Sequence, residues 1–183
     1  MHEQLVLEVS LFITLIILVC TGFVFLNNKN DGVLQRVLKL TSALLGCFFL
    51  MSGLAKFFEP FHNQFLQQIV YSGLAYPAAV NFVRHYGELL AGGLFIGFLC
   101  CERRVSEVVG NYILFVASGV ATLVLSIDVY IHVVPQVPAE LLPLHCKPPL
   151  LPLSVLSLVM INIFVYVNTR VMLLNQSSIS AST

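Results

Sequence analysis

The chain has 183 residues, 58% of them hydrophobic and only 10% charged, with a mean hydropathy of +0.92. Nine basic side chains balance nine acidic ones, with no basic block or tail, so nucleic acid is excluded as a partner. A soluble domain needs far more charge, which leaves an all-α integral membrane protein whose first partner is the lipid bilayer.

The first apolar stretch is Leu5–Leu26. Glu3 and Glu8 stand where a signal peptide has a basic region, and the apolar run is too long for a cleaved one. Residues 1–35 therefore read as a retained amino-terminal transmembrane helix with a cytoplasmic loop. Four more stretches succeed it: Val37–Phe58, Phe82–Cys101, Val108–Val134 and Leu150–Leu174. Each is near the roughly 20 residues that cross a hydrocarbon core of about 30 Å, and helices saturate the backbone there. Residues 36–174 are thus expected to form a four-helix up-and-down transmembrane bundle, and 175–183 a disordered tail.

Loop cations set the orientation. Lys29, Arg36, Lys39, Arg103, Arg104 and Arg170 fall on one side, and Lys56, Arg84 and Lys147 on the other. Six against three predicts an outside amino terminus and a cytoplasmic carboxyl terminus. Two outer connections stand out. Glu59–Asn81 contains an amphipathic pattern of Phe61, Phe65, Leu66 and Ile69, which predicts a helix lying at the interface. Pro135, Pro138, Pro143, Pro148 and Pro149 make the second a stiff cap over the bundle mouth.

Charge inside hydrocarbon costs about 2.5–3.5 kcal/mol per group on insertion scales, so it calls for a partner or a task. Lys56, Glu88 and Asp128 lie inside the apolar stretches, with His132 one turn beyond Asp128. The alternating topology brings all four to the outer end of the bundle. Glu88 shares a stripe with Ala91, Gly92 and Phe95, Asp128 continues Ala117, Ala121 and Val124, and Lys56 stands above Gly53, Ser52 and Phe49. Gly93 and Gly97 form a GxxxG spacing that favours close helix approach. The four residues are candidates for an intramembrane polar site. The plainer alternative is a structural ion pair of Lys56 with Glu88 or Asp128, or a Lys56 that snorkels to the surface. Arg84 and His85 are expected where a helix end meets headgroups.

Asp128 and His132 could offer two metal ligands, but no tight motif completes a site and Lys56 would oppose a cation, so no metal is expected. The five cysteines lack CxxC or Cys/His spacing and read as unpaired thiols. Phosphate-binding loops and hydrolase elbows are missing, as are flavin, haem and iron–sulfur motifs.

Leu45-Leu-Gly-Cys-Phe-Phe-Leu-Met-Ser-Gly-Leu-Ala-Lys56-Phe, the later Gly87-Glu88-Leu-Leu-Ala-Gly-Gly-Leu94 and the intervening Gly73-Leu-Ala-Tyr-Pro77 resemble DoxX-like membrane proteins. The specific likeness covers residues 45–97 and a weaker one 36–174, and the amino-terminal helix is additional to the family's four-helix core. The resemblance implies that bundle, with Lys56 and Glu88 as the family's intramembrane polar positions and a bacterial inner membrane as location. It also implies a link to thiosulfate–quinone or other redox systems.

Two main functions are expected. One is a membrane subunit of a quinone-linked redox system: Lys56 or His132 holds a ring oxygen, Asp128 or Glu88 relays protons, and a redox protein partner supplies electrons. The other is a non-enzymatic assembly or stability factor for another membrane protein, with the charges as internal glue. A proton-coupled or small-solute transporter is a third, disfavoured because no inverted repeat is evident. Whether the chain is itself an enzyme stays open at this level.

Overall fold

The computed structural model describes residues 6, 10, 13–17, 19–22, 31–101 and 106–180, and among these every regular element is helical. The elements are α1 (Ile13–Gly22), α2 (Val33–Ala55), α3 (Phe61–Tyr71), α4 (Pro77–Cys101), α5 (Glu107–Val133) and α6 (Leu150–Ser180). Most of the rest of the expected first span lies outside the described residues, as do Lys29, Arg103, Arg104 and residues 181–183. Helix α6 runs on through 175–180, a stretch the sequence alone reads as a frayed tail.

The long helices pack in cyclic order, α2 on α4, α4 on α5, α5 on α6 and α6 on α2. Neighbours run in opposite directions. Gly46 faces Ile96 and Gly53 faces Leu89 across the α2–α4 seam, while Gly87 faces Val124 and Gly110 faces Phe98 across α4–α5.

The core derives from sequence spacing. On α2, Leu38, Ser42, Leu45, Phe49 and Gly53, continued by Lys56 at its C-terminal cap, recur every three or four residues, and all are buried. Arg84, Glu88, Ala91, Phe95 and Phe98 do the same on α4, as do Leu114, Ala117, Ala121 and Val124 on α5. Phe49 and Phe95 stack at 6.5 Å between ring centres, joining the first two stripes. Closest approach falls at Gly92, where a Cβ would come within 2.7 Å of the Leu50 backbone nitrogen and 2.9 Å of the Gly46 carbonyl oxygen. Gly93 and Gly97 face open space, so the GxxxG pair is not the packing seam; the neighbouring glycine is.

Outward faces are apolar as well. Tyr112, Leu123, Ile161 and Phe164 are 69%, 55%, 49% and 69% exposed, a pattern that suits lipid and not water. Val33–Ala55, Val108–Val133 and Leu150–Val171 are long and apolar enough to cross a membrane. Helix α4 is 25 residues long but is not among them, since Arg84, His85 and Glu88 lower its hydropathy. All three are buried against neighbouring elements.

Helix ends explain the connections. Ser106 caps α5 by accepting from the Val109 amide at 3.5 Å, and α5 stops just before Pro135. Lys147 then reaches back to the orphan end of α5, donating to the carbonyls of Val134 at 2.8 Å, Pro135 at 3.3 Å and Val137. The proline-rich connection is folded into two 3₁₀ turns, Ala139–Leu141 and Pro143–His145, with Val137 and Leu142 fully buried beneath it. At the other end Lys39 belongs to α2, not to the preceding loop, and pairs with Asp31 at 2.5 Å.

Candidate functional site

The end of α2, the first half of α4 and the end of α5 meet at one end of the bundle, and all four charged side chains there are paired. Lys56 Nζ lies 2.6 Å from Glu88 Oε1, with both side chains at most 3% exposed. Arg84 Nε lies 2.5 Å from Asp128 Oδ1. The two pairs are close enough to act on one another, forming one neutral cluster of two cations and two carboxylates. Mutual attraction offsets the large cost of removing each ion from water only because each has an opposite charge in contact.

Helix α3 closes this cluster. Its Phe65 ring sits 4.5 Å from Lys56 Nζ and 4.6 Å from Arg84 Cζ, so one aromatic ring serves both cations. One turn on, Gln68 Oε1 accepts from Arg84 Nη1 at 2.9 Å while its amide nitrogen donates to the Leu141 carbonyl of the cap. The expected interfacial helix is therefore a clasp that ties the charges to the loop above them.

The sequence candidates divide accordingly. Lys56 and Glu88 meet, as one of the two expected pairings requires. Asp128 joins the cluster through Arg84, which is 2% exposed and packed against neighbouring helices. The signal is present in the sequence: Arg84 precedes Glu88 by one turn on the same stripe. His132 is buried, but its Nδ1 bonds the Asp128 backbone carbonyl at 2.7 Å, not the Asp128 carboxylate. An Asp128 carboxylate to His132 proton chain is thus not the arrangement seen. Glu88 Oε2 stays buried without a hydrogen-bond partner among the described residues. Among those residues, no group of three His, Cys, Asp or Glu is placed to hold a metal ion. The five cysteines are unpaired.

Next to the clasp lies a cavity of about 120 Å³ between α1, α2, α3, α6 and the cap. Phe48, Met51, Phe61, Phe65 and Leu151 make it apolar, and Ser52, Gln64 and Gln68 supply its polar side chains. A few polar groups converging on an apolar hollow is the usual form of a small-molecule site. The space is ring-sized, comparable to cavities of roughly 150 Å³ that hold a benzene. No known protein family matches this chain, and no curated protein or solved structure matches it either.

Proposed function

We propose that the chain is a membrane-embedded subunit of a redox system that binds a quinone-class lipophile beside the ion-pair cluster. The observation that carries this reading is the ring-sized apolar cavity walled by Phe48, Phe61 and Phe65, with Gln64 and Ser52 on its lining. A quinone ring stacks on aromatic side chains and its carbonyl oxygens accept hydrogen bonds, so an amide and a hydroxyl suit it. Its isoprenoid tail would leave between helices toward lipid. Lys56 and Arg84 do not contact the ring in this arrangement, because each is committed to a carboxylate. Instead the cluster holds Phe65 and Gln68 in place as one wall. The resemblance of residues 45–97 to DoxX-like proteins supports the same class, with electrons delivered by a protein partner.

The test is extraction of lipophiles from the gently purified protein, comparing wild type with Gln64→Leu and Met51→Trp. Quinone held by the wild type and lost when Met51→Trp fills the cavity is the expected result. Equal quinone in all three samples would place any quinone elsewhere and remove this reading.

One observation favours a second reading. Four charges that saturate one another need no ligand, which suits an assembly or stability factor for another membrane protein. A stoichiometric protein partner retained by wild type and by Met51→Trp alike, with no quinone in either, would establish it.

A further inference from the structure

A second cavity, of about 460 Å³, opens where α2 gives way to α3 and α4 begins. It shares no wall residue with the first, so its occupant is independent of the quinone reading. Three aromatic rings line it, Phe57, Phe82 and Tyr86, together with Glu59, His62 and His85. The rings form a connected set: Phe57 lies 4.3 Å from His85, His85 stacks on Tyr86 at 5.0 Å, and Phe82 lies 4.5 Å from Tyr86.

Two features go beyond an aromatic belt at a membrane surface. His85 is 8% exposed, and its Nε2 is buried with no hydrogen-bond partner among the described residues. A buried polar atom left unsatisfied is costly, so it calls for an occupant. His62 donates from Nδ1 to the Lys56 carbonyl at 3.0 Å, which leaves its Nε2 as an acceptor. Glu59 decides the sign of that occupant. An anion would meet its carboxylate, whereas a cation is attracted by the carboxylate and can rest against the aromatic rings. Lys56, which acts electrostatically on His85, is paired with Glu88, and Arg84 with Asp128, so neither presents an unpaired charge to the cavity. A metal ion is not the occupant the geometry serves, since Glu59, His62 and His85 are not placed as a ligand set. A quaternary ammonium would leave the His85 nitrogen unsatisfied, because it has no N–H to donate. A primary ammonium has three.

We propose that this cavity binds a primary ammonium group, carried by an aminophospholipid headgroup or by a free alkylamine. The ammonium donates to His85 Nε2 and His62 Nε2, pairs with Glu59, and lies against Phe57, Phe82 and Tyr86. Both sources share this chemistry.

Native mass spectrometry of the full chain with equal dioleoyl-phosphatidylethanolamine and dioleoyl-phosphatidylcholine tests the lipid source. Histidine-ring NMR during titration with ethanolamine, against tetramethylammonium, tests the free amine. The ethanolamine lipid is expected to be retained over the choline lipid, and Glu59→Gln to reduce that preference about two- to fivefold, the usual worth of a partly exposed ion pair. His85→Phe should abolish it. Glu59 is exposed, so Glu59→Gln decides the matter even if His85→Phe fails to fold. A lipid preference that falls in Glu59→Gln identifies the headgroup. No lipid preference, but an ethanolamine-specific shift of the His85 ring whose midpoint Glu59→Gln raises about two- to fivefold, identifies a free amine. Equal retention of both lipids without an ethanolamine response, or any response unchanged in Glu59→Gln, overturns the proposal.

Discussion

Arg84 of α4 and Asp128 of α5 meet at 2.5 Å across the helix seam in which Gly87 faces Val124. Small side chains bring the two backbones together, and the ion pair then closes the end of the seam. Gln68 and Phe65 complete the guanidinium's surroundings from α3, so one side chain links three helices.

Removing one partner of this pair leaves the other charge uncompensated in an apolar setting. Arg84→Met is therefore expected to destabilise by about 3–5 kcal/mol. Replacing both, as Arg84→Met with Asp128→Leu, should recover most of that loss, because no unpaired buried charge remains. Thermal unfolding in detergent reads both variants. If Arg84→Met melts with the wild type, the pair contributes nothing and Asp128 has another partner.

The helical stripes are readable from the sequence, because spacings of three and four place Glu88 with Ala91 and Asp128 with Ala121 whatever the partners are. The pairing is not, since it depends on which helices adjoin. Sequence reasoning misplaces Arg84 for a concrete reason. Counting the apolar run starts α4 at Phe82, whereas the helix begins at Pro77, a residue suited to a first helical position. Those extra residues move Arg84 from the helix end into its body. For the seam glycine the two sequence signals part: the GxxxG pair Gly93 and Gly97 faces open space, whereas Gly92, on the stripe of Glu88 and Ala91, packs against α2.

The glycines therefore make a matched test. Gly92→Ala puts a methyl group against backbone atoms of α2, which cannot move aside as a side chain could. A loss of about 1–3 kcal/mol is expected, as for overpacked cores. Gly93→Ala meets nothing within 4 Å and should be neutral or stabilising, by up to about 1 kcal/mol from helix propensity. Equal melting temperatures for the two variants would contradict the α2–α4 register.

Asn162 is fully buried on α6 and donates to Thr41 Oγ1 at 2.7 Å and Ser42 Oγ at 2.8 Å on α2. Among the described residues this is a polar tie between those helices. Side-chain hydrogen bonds between membrane helices are worth about 0.6 kcal/mol on average and up to about 1.7. Asn162→Ala should cost about 1–2 kcal/mol, with loss of packing included. Thr41→Val in the Asn162→Ala background should add less than it does alone, which a double-mutant cycle measures. Strict additivity would mean that the two side chains do not interact.

The clasp made by α3 should come loose without unfolding the bundle. Phe65→Leu removes the ring that faces both Lys56 and Arg84, yet leaves the two ion pairs and the helix seams in place. At about 0.5–2 kcal/mol per cation–ring contact, the opening equilibrium of α3 should shift by roughly fivefold or more. Gln68→Leu attacks the same element differently, leaving the Arg84 guanidinium and the Leu141 carbonyl each short of a partner. Hydrogen exchange measured by mass spectrometry separates local from global effects. Both variants are expected to speed exchange across Phe61–Tyr71 while protection in α2 and α5 stays at the wild-type level. Gln68→Leu should also expose the cap around Leu141, and Phe65→Leu should not. Uniform loss of protection through all the helices would show instead that α3 is part of the cooperative core.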